Sequence, residues 1–247
     1  MKGVYKRIQT LEMALSLVSV EHEVSVATNA AAAQRIEAQL RAGDRVLEVG
    51  AYIGALSACL AAAHPEVHFL ATDQAPALAA VGAAAFRAPN LEIARWDYTL
   101  KTGCPKRSFD LICCVLGTPT LAESHCICRF PVPHWSDPRE SVAERSGALF
   151  DATRSVAHPG TRFVAALRLG TLELVAAAVN TARGRGWMLS WADQVVVPAS
   201  ASMDTDQTFP LLEWTLGEPA SPISETDVAS QVDELSGGRV DLVAGWR

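Results

Sequence analysis

The sequence predicts an α/β protein: a mainly parallel sheet with helices on both faces. Three observations carry this. Strand-length apolar runs alternate with helix-length segments over most of the chain. The last two strand-like runs follow each other with no helical pattern between them, which predicts an antiparallel pair at one sheet edge. And 247 residues, 49 % apolar and 19 % charged, suffice for a sizeable core and exclude global disorder.

In chain order, residues 29–40 read as a helix with Ile36 and Leu40 on one face, stopped by Ala42-Gly43-Asp44. RVLEVG, 45–50, is the first strand. Residues 55–64 are helical, and Pro65 ends them. VHFLAT, 67–72, is the second strand, 75–86 an Ala-rich helix carrying Gly82, LEIARW, 91–96, the third strand, and FDLICCVLG, 109–117, the fourth. Val142, Leu149 and Val156 stand at heptad spacing and place a helix over 138–157. Pro159-Gly160 breaks it before the fifth strand, 162–169. A helix at 171–184 leads to the edge pair, 187–197 and 209–217. Residues 218–238, rich in Pro, Ser, Glu and Asp, read as a surface loop or weak helix, and 239–246 as a last strand or packed tail.

Charge and cysteine usage narrow the function. The net charge of −6 argues against a general nucleic-acid binder, so no nucleic-acid partner is expected. No apolar stretch reaches the roughly 18 residues of a membrane span. The first fifteen positions mix Lys2, Lys6, Arg7 and Glu12 with apolar residues and lack the form of a signal peptide. A cytoplasmic, reducing setting is therefore expected. The six cysteines then read as free thiols, Cys113 and Cys114 as small core residues.

Ligands of such sheets bind where strands end, near the switch point. After the first strand stands E-V-G-A-Y-I-G, 48–54, where Gly50 permits a tight turn and Gly54 opens a helix with free N–H groups. Tyr52 breaks the dinucleotide pattern G-x-G-x-x-G, and no Lys-Ser or Lys-Thr completes a phosphate loop. After the second strand, Asp73 can accept two hydrogen bonds from a ribose diol, or cap the helix that follows. After the third, Trp96-Asp97-Tyr98 offers a carboxylate for an adenine amino group between apolar neighbours, or a plain turn.

Together, acid-x-Gly-x-x-x-Gly, Asp and Asp at three successive strand ends resemble the class I S-adenosylmethionine-dependent methyltransferases. DRVLEVGAYIG resembles their first motif, TDQAPAL the second and ARWDY the third. FDLICCVLG resembles the fourth strand, and AHPGTRFVAAL the Pro-Gly turn before the fifth. The resemblance covers roughly residues 29–217. It implies a Rossmann-like, doubly wound, mostly parallel seven-stranded sheet with an antiparallel C-terminal edge pair. It implies S-adenosyl-L-methionine as cofactor and S-adenosyl-L-homocysteine as product. By the same likeness Glu48 and Gly50 lie near the methionine part, Asp73 at the ribose and Asp97 at adenine. Ala51, Tyr52, Gly54, Gln74, Trp96, Tyr98 and Leu116 complete the expected cofactor site. Tyr52 departs from the family, which usually has Gly there.

The long connection after the fourth strand, 117–135, is the expected acceptor side. His134 or His125 can serve as general base, Arg129 can hold an acidic group, and Phe130 and Trp135 can pack on a ring. A solvated surface excursion remains the bland reading of each. His125, Cys126, Cys128 and His134 are metal-ligating types, but His-Cys-x-Cys crowds its donors and no metal is expected. The expected organisation is an N-terminal helical segment at 1–28 (lid or dimer contact, with Leu11, Leu15 and Val18 on one face), a methyltransferase domain at 29–217 and a tail at 218–247. The expected activity is methyl transfer to a small-molecule, biosynthetic acceptor. Two alternatives stand beside it: transfer or cyclisation of the cofactor's aminocarboxypropyl arm, and a non-catalytic cofactor-binding partner of the same fold.

Overall fold

A computed structural model describes residues 9–13, 22–99, 103–115, 138–167, 169, 171–197 and 207–240. The elements run α1 (His22–Glu37), β1 (Arg45–Val49), α2 (Ala55–Ala63), β2 (His68–Asp73), α3 (Pro76–Ala85), β3 (Leu91–Arg95), β4 (Phe109–Val115), α4 (Pro138–Arg154), β5 (Ala157–Ala166), α5 (Leu172–Arg183), β6 (Trp187–Val197), β7 (Gln207–Leu216) and α6 (Glu225–Ser236).

The seven strands form one sheet in the order β3-β2-β1-β4-β5-β7-β6. β1 to β5 are parallel, and β7 pairs antiparallel with both β5 and β6. The chain winds outward from β1 to β3, then returns across β1 to β4. The switch point therefore lies between β1 and β4, where loops diverge to opposite faces and leave a crevice.

Burial explains the layering. The side chains of Val46–Val49 in β1, Leu111–Val115 in β4 and Phe163–Ala166 in β5 are buried on both faces, as parallel strands between helix layers require. On one face Val46, Phe69 and Leu111 meet Ile36 of α1 and Leu56 and Leu60 of α2. On the other, Leu47, Ile112 and Phe163 meet Leu149 and Phe150 of α4, Val175 and Val179 of α5 and Val228 and Val232 of α6. Phe150, Phe163, Trp187 and Trp214 pack there with ring centroids 5.3–5.6 Å apart, mostly edge to face. α1 is pinned to the antiparallel edge by charge. The buried Glu213 of β7 accepts from Arg35 Nε (2.7 Å) and Gln39 Nε2 (2.6 Å), and the Arg35 guanidinium stacks 4.0 Å above Trp191.

Two local expectations change. The Pro159-Gly160 pair does not precede β5 but lies inside it, as a bulge: the pairing with β4 jumps from Phe109–Ala157 to Leu111–Arg162. Thr161 Oγ1 donates to Phe109 O, and His158 meets Asp110 at 3.0 Å, so side chains hold the bulge that the prolyl nitrogen cannot. Residues 225–236, read from the sequence as loop or weak helix, are a helix. Ser224 and Asp227 form a reciprocal capping box, and Gly237, at φ 62°, closes the other end. The helix is mostly polar because it buries little beyond Val228, Val232 and Ser236.

Candidate functional site

The carboxyl ends of β1, β2 and β3 meet beside the switch point. β1 delivers Glu48 into the interior, 4 % exposed. Its Oε2 accepts from the Ser57 amide (3.1 Å) and the Ser57 hydroxyl (2.5 Å) in the first turn of α2. Burial pushes this carboxyl up to about 7. The two Ser57 hydrogen bonds oppose that rise, and the nearby Asp73 charge adds to it. Glu48 thus faces Ser57, not an open ligand space, and acts by fixing the loop between β1 and α2.

That loop adopts a sequence of left-handed residues: Gly50 at φ 70°, Tyr52 at 57° and Gly54 at 78°. Tyr52 alone of these carries a side chain, and left-handed backbone disfavours one by about 1 kcal/mol. The conformation is over-determined from outside. Ala51 N donates to Thr72 O (2.9 Å), Tyr52 N to Asp73 Oδ2 (3.0 Å) and Gly54 N to Ala51 O (2.8 Å). The Tyr52 ring packs with Ile53, Leu78, Val81, Ala75 and Phe86. Gly54 has no room for more than hydrogen: a Cβ there would stand 3.0 Å from Ile93 and 3.1 Å from Ala71.

Asp73 is half-buried and bridges two elements. Besides Tyr52 N it accepts from Ala75 N (2.8 Å), the residue before α3. The carboxylate therefore ties the turn before α3 to the glycine loop, while Ala75 itself is the N-cap of α3. Burial raises its pKa against those two bonds. Gln74 beside it is exposed. Asp97 is half-buried, and its Oδ1 accepts from Thr99 N (3.1 Å) and Oγ1 (2.6 Å) in a turn beyond β3. Tyr98 lies against the core, where burial holds its phenol above its ordinary range, with Cys114, Asp97, Arg145 and Asp73 all close enough to act on it.

Trp96 departs from its expected role. At 2 % exposure its ring is packed with Leu47, Val49 and Leu70 in the core, so it is not open to an adenine ring. Its indole N–H is buried and finds no hydrogen-bond partner among the described residues. Leu116, His125, Arg129, Phe130, His134 and Trp135, together with Cys126 and Cys128, lie outside the described residues. Among the described residues no cluster of His, Cys, Asp and Glu has metal-binding geometry, and Cys113 and Cys114 are buried. No described helix is long and apolar enough to cross a membrane.

Gly82 and Ser57 are the contributors that motif reading passed over. A Cβ on Gly82 would stand 2.2 Å from the Ile53 carbonyl oxygen, so α3 presses its backbone onto the glycine loop. The signal was present as a lone Gly inside an Ala-rich helix.

Parallel strands ending in a glycine turn and two aspartates define an α/β protein whose candidate site lies at the carboxyl ends of its strands, beside the switch point. Comparison with solved structures names the fold. The methyltransferase in the complex with the Haloferax volcanii Trm112 methyltransferase activator superposes with a TM-score of 0.56 at 12 % identity, covering 87 % of this chain and 98 % of that one. The 16S rRNA (adenine(1408)-N(1))-methyltransferase of Catenulisporales acidiphilia gives 0.50 at 18 % identity, covering 75 % and 91 %. A methyltransferase from Pyrococcus furiosus gives 0.50 at 14 % identity, covering 74 % and 80 %. The chain has the class I methyltransferase fold. No protein-family model matches the sequence, and no curated protein matches it. The exclusion of nucleic acid must be withdrawn, because the same fold serves an rRNA methyltransferase among these neighbours. Net charge describes the whole surface, whereas an acceptor meets only the mouth of the site.

Proposed function

We propose that the protein is an S-adenosylmethionine-dependent methyltransferase with a small-molecule acceptor. The observation that supports this most is the convergence of the Gly50–Gly54 loop, Asp73 and Asp97 at three adjacent strand ends. In this reading the Asp73 carboxylate receives the ribose hydroxyls, the loop backbone passes beneath the methionine part, and Asp97 receives the adenine amino group. Methyl transfer from a sulfonium is an in-line displacement, so alignment and exclusion of water supply most of the acceleration. The acceptor approaches from the chain that leaves β4, which begins at the same edge of the sheet. His134 and His125 are the candidate bases there, with Arg129, Phe130 and Trp135 as acceptor contacts.

The test is turnover with labelled cofactor against a pool of small metabolites and, in parallel, against bulk RNA. The proposal expects S-adenosylhomocysteine and a methylated small molecule, with His134→Ala or His125→Ala lowering turnover by about 10²–10⁴-fold at unchanged cofactor affinity. Methylthioadenosine as product would replace methyl transfer by aminocarboxypropyl chemistry. Methylation of RNA alone would replace the acceptor class.

A further inference from the structure

The far edge of the sheet is built to receive another strand. Among the described residues β3 pairs only with β2, which leaves its other side open there. Asn90 O accepts from Phe69 N (2.8 Å) and Trp96 N donates to Asp73 O (3.0 Å), so even-numbered residues of this strand bond inward. Backbone alternation then turns Leu91, Ile93 and Arg95 outward. Leu91 N is satisfied by Ala88 O (3.2 Å), and Gly103 passes over the Arg95 carbonyl. Left open are the N–H groups of Ile93 and Arg95 and the carbonyls of Leu91 and Ile93. Among the described residues none of these four has a backbone partner outside the strand's own pairing.

A cavity lies on each face of this edge. One, about 360 Å³, is walled by Ala83, Phe86, Pro89, Leu91 and Ile93. The other, about 400 Å³, is floored by Phe69 and Leu70 and rimmed by Glu92 and Arg107. The second exists because the connection from β3 to β4 is short. Residues 96–108 contain no helix among the described residues, whereas α2, α3 and α4 cover the other parallel crossovers. Side chains of an added strand alternate between faces and would enter the two cavities in turn. That is the geometry by which a sheet edge recognises an extended peptide.

Charge selects the occupant. The segments 87–95 and 103–107 expose Arg87, Arg95, Lys106 and Arg107 against Glu92 alone, on a chain whose net charge is −6. Glu92 already pairs with Arg107 at 2.7 Å. A second copy of the chain would bring like charges together along the same edge, which disfavours self-pairing. The geometry points to β3 as the docking edge for an extended segment of a partner protein, with apolar residues at alternate positions and acidic residues between them. This inference stands independently of the methyltransferase reading.

The test uses the full chain and synthetic peptides of about six residues. One set alternates Val, Leu or Phe with Asp or Glu, and a matched set carries Lys at the charged positions. Hydrogen exchange reads the result at named amides. The acidic set should slow exchange at Ile93 and Arg95, whose amides are unprotected in the free protein, and bind about tenfold or more tightly than the Lys set. Arg95→Pro removes one open N–H at an edge position that tolerates proline and should abolish the protection. Arg87→Glu with Arg107→Glu should weaken the acidic set at least tenfold, which keeps the test decisive if Arg95→Pro does not fold. No protection by any peptide, equal binding of both sets, protection by a short poly(U) RNA instead, or a dimer that Arg95→Pro dissociates would each overturn the inference.

Discussion

Glu48 carries a pH-dependent destabilisation that follows from where β1 puts it. Its carboxyl is raised from 4.5 to about 7 by burial, so the folded state holds a proton that the unfolded chain has lost over that window. The folded state binds more protons there, so stability falls as pH rises from about 4.5 to 7 and stays lower above it, by about 3 kcal/mol in all. Glu48→Gln keeps an acceptor oxygen for Ser57 and cannot ionise. Thermal unfolding between pH 5 and 8 should therefore show a midpoint that declines with pH in the wild type and is nearly flat in Glu48→Gln. Parallel curves would mean that the carboxyl is charged throughout. Motif spacing located this residue, but its orientation toward Ser57 was not legible, because only the packing of α2 on β1 turns the side chain inward.

At the scale of elements, the glycine loop is shaped as much by α3 as by its own glycines. Gly82 lets α3 approach until its backbone touches Ile53 O. Gly82→Ala forces helix and loop apart and should destabilise the protein by about 1–3 kcal/mol. Because the displaced segment is the proposed cofactor loop, S-adenosylhomocysteine affinity should fall together with stability. Denaturant melts paired with cofactor titration check this, and unchanged values for both would separate α3 from the site. The strand and helix alternation was legible because parallel strands buried on both faces read as unbroken apolar runs, as FDLICCV in β4 does. α6 was legible only as one of two readings, since a surface helix that buries two valines leaves almost no periodic signal. The β5 bulge was missed for another reason: Pro159-Gly160 reads as a break, while Thr161, His158 and Asp110 carry the pairing past it.

Across the whole molecule, one sheet divides its labour between its faces and its ends. The β7–β6 side carries the aromatic core on one face and the Arg35–Glu213 pair on the other, the carboxyl ends of β1 to β3 carry the candidate site, and among the described residues β3 pairs only with β2. Asp73 and Asp97 stood out in the sequence because each follows an apolar run at a strand end, and the structure places them at the adjacent ends of β2 and β3. Trp96 was misplaced, since the residue next to a strand tip can turn to core or to ligand, and only the packing on the sheet decides. In the function proposed above, these strand ends together form one nucleoside site. Calorimetric titration of S-adenosylhomocysteine into the wild type, Asp73→Ala and Asp97→Ala tests it most directly. The account predicts saturable binding to the wild type, about 1–3 kcal/mol weaker in each variant, with all three proteins folded. No heat of binding in the folded wild type, or full affinity in both variants, would contradict it.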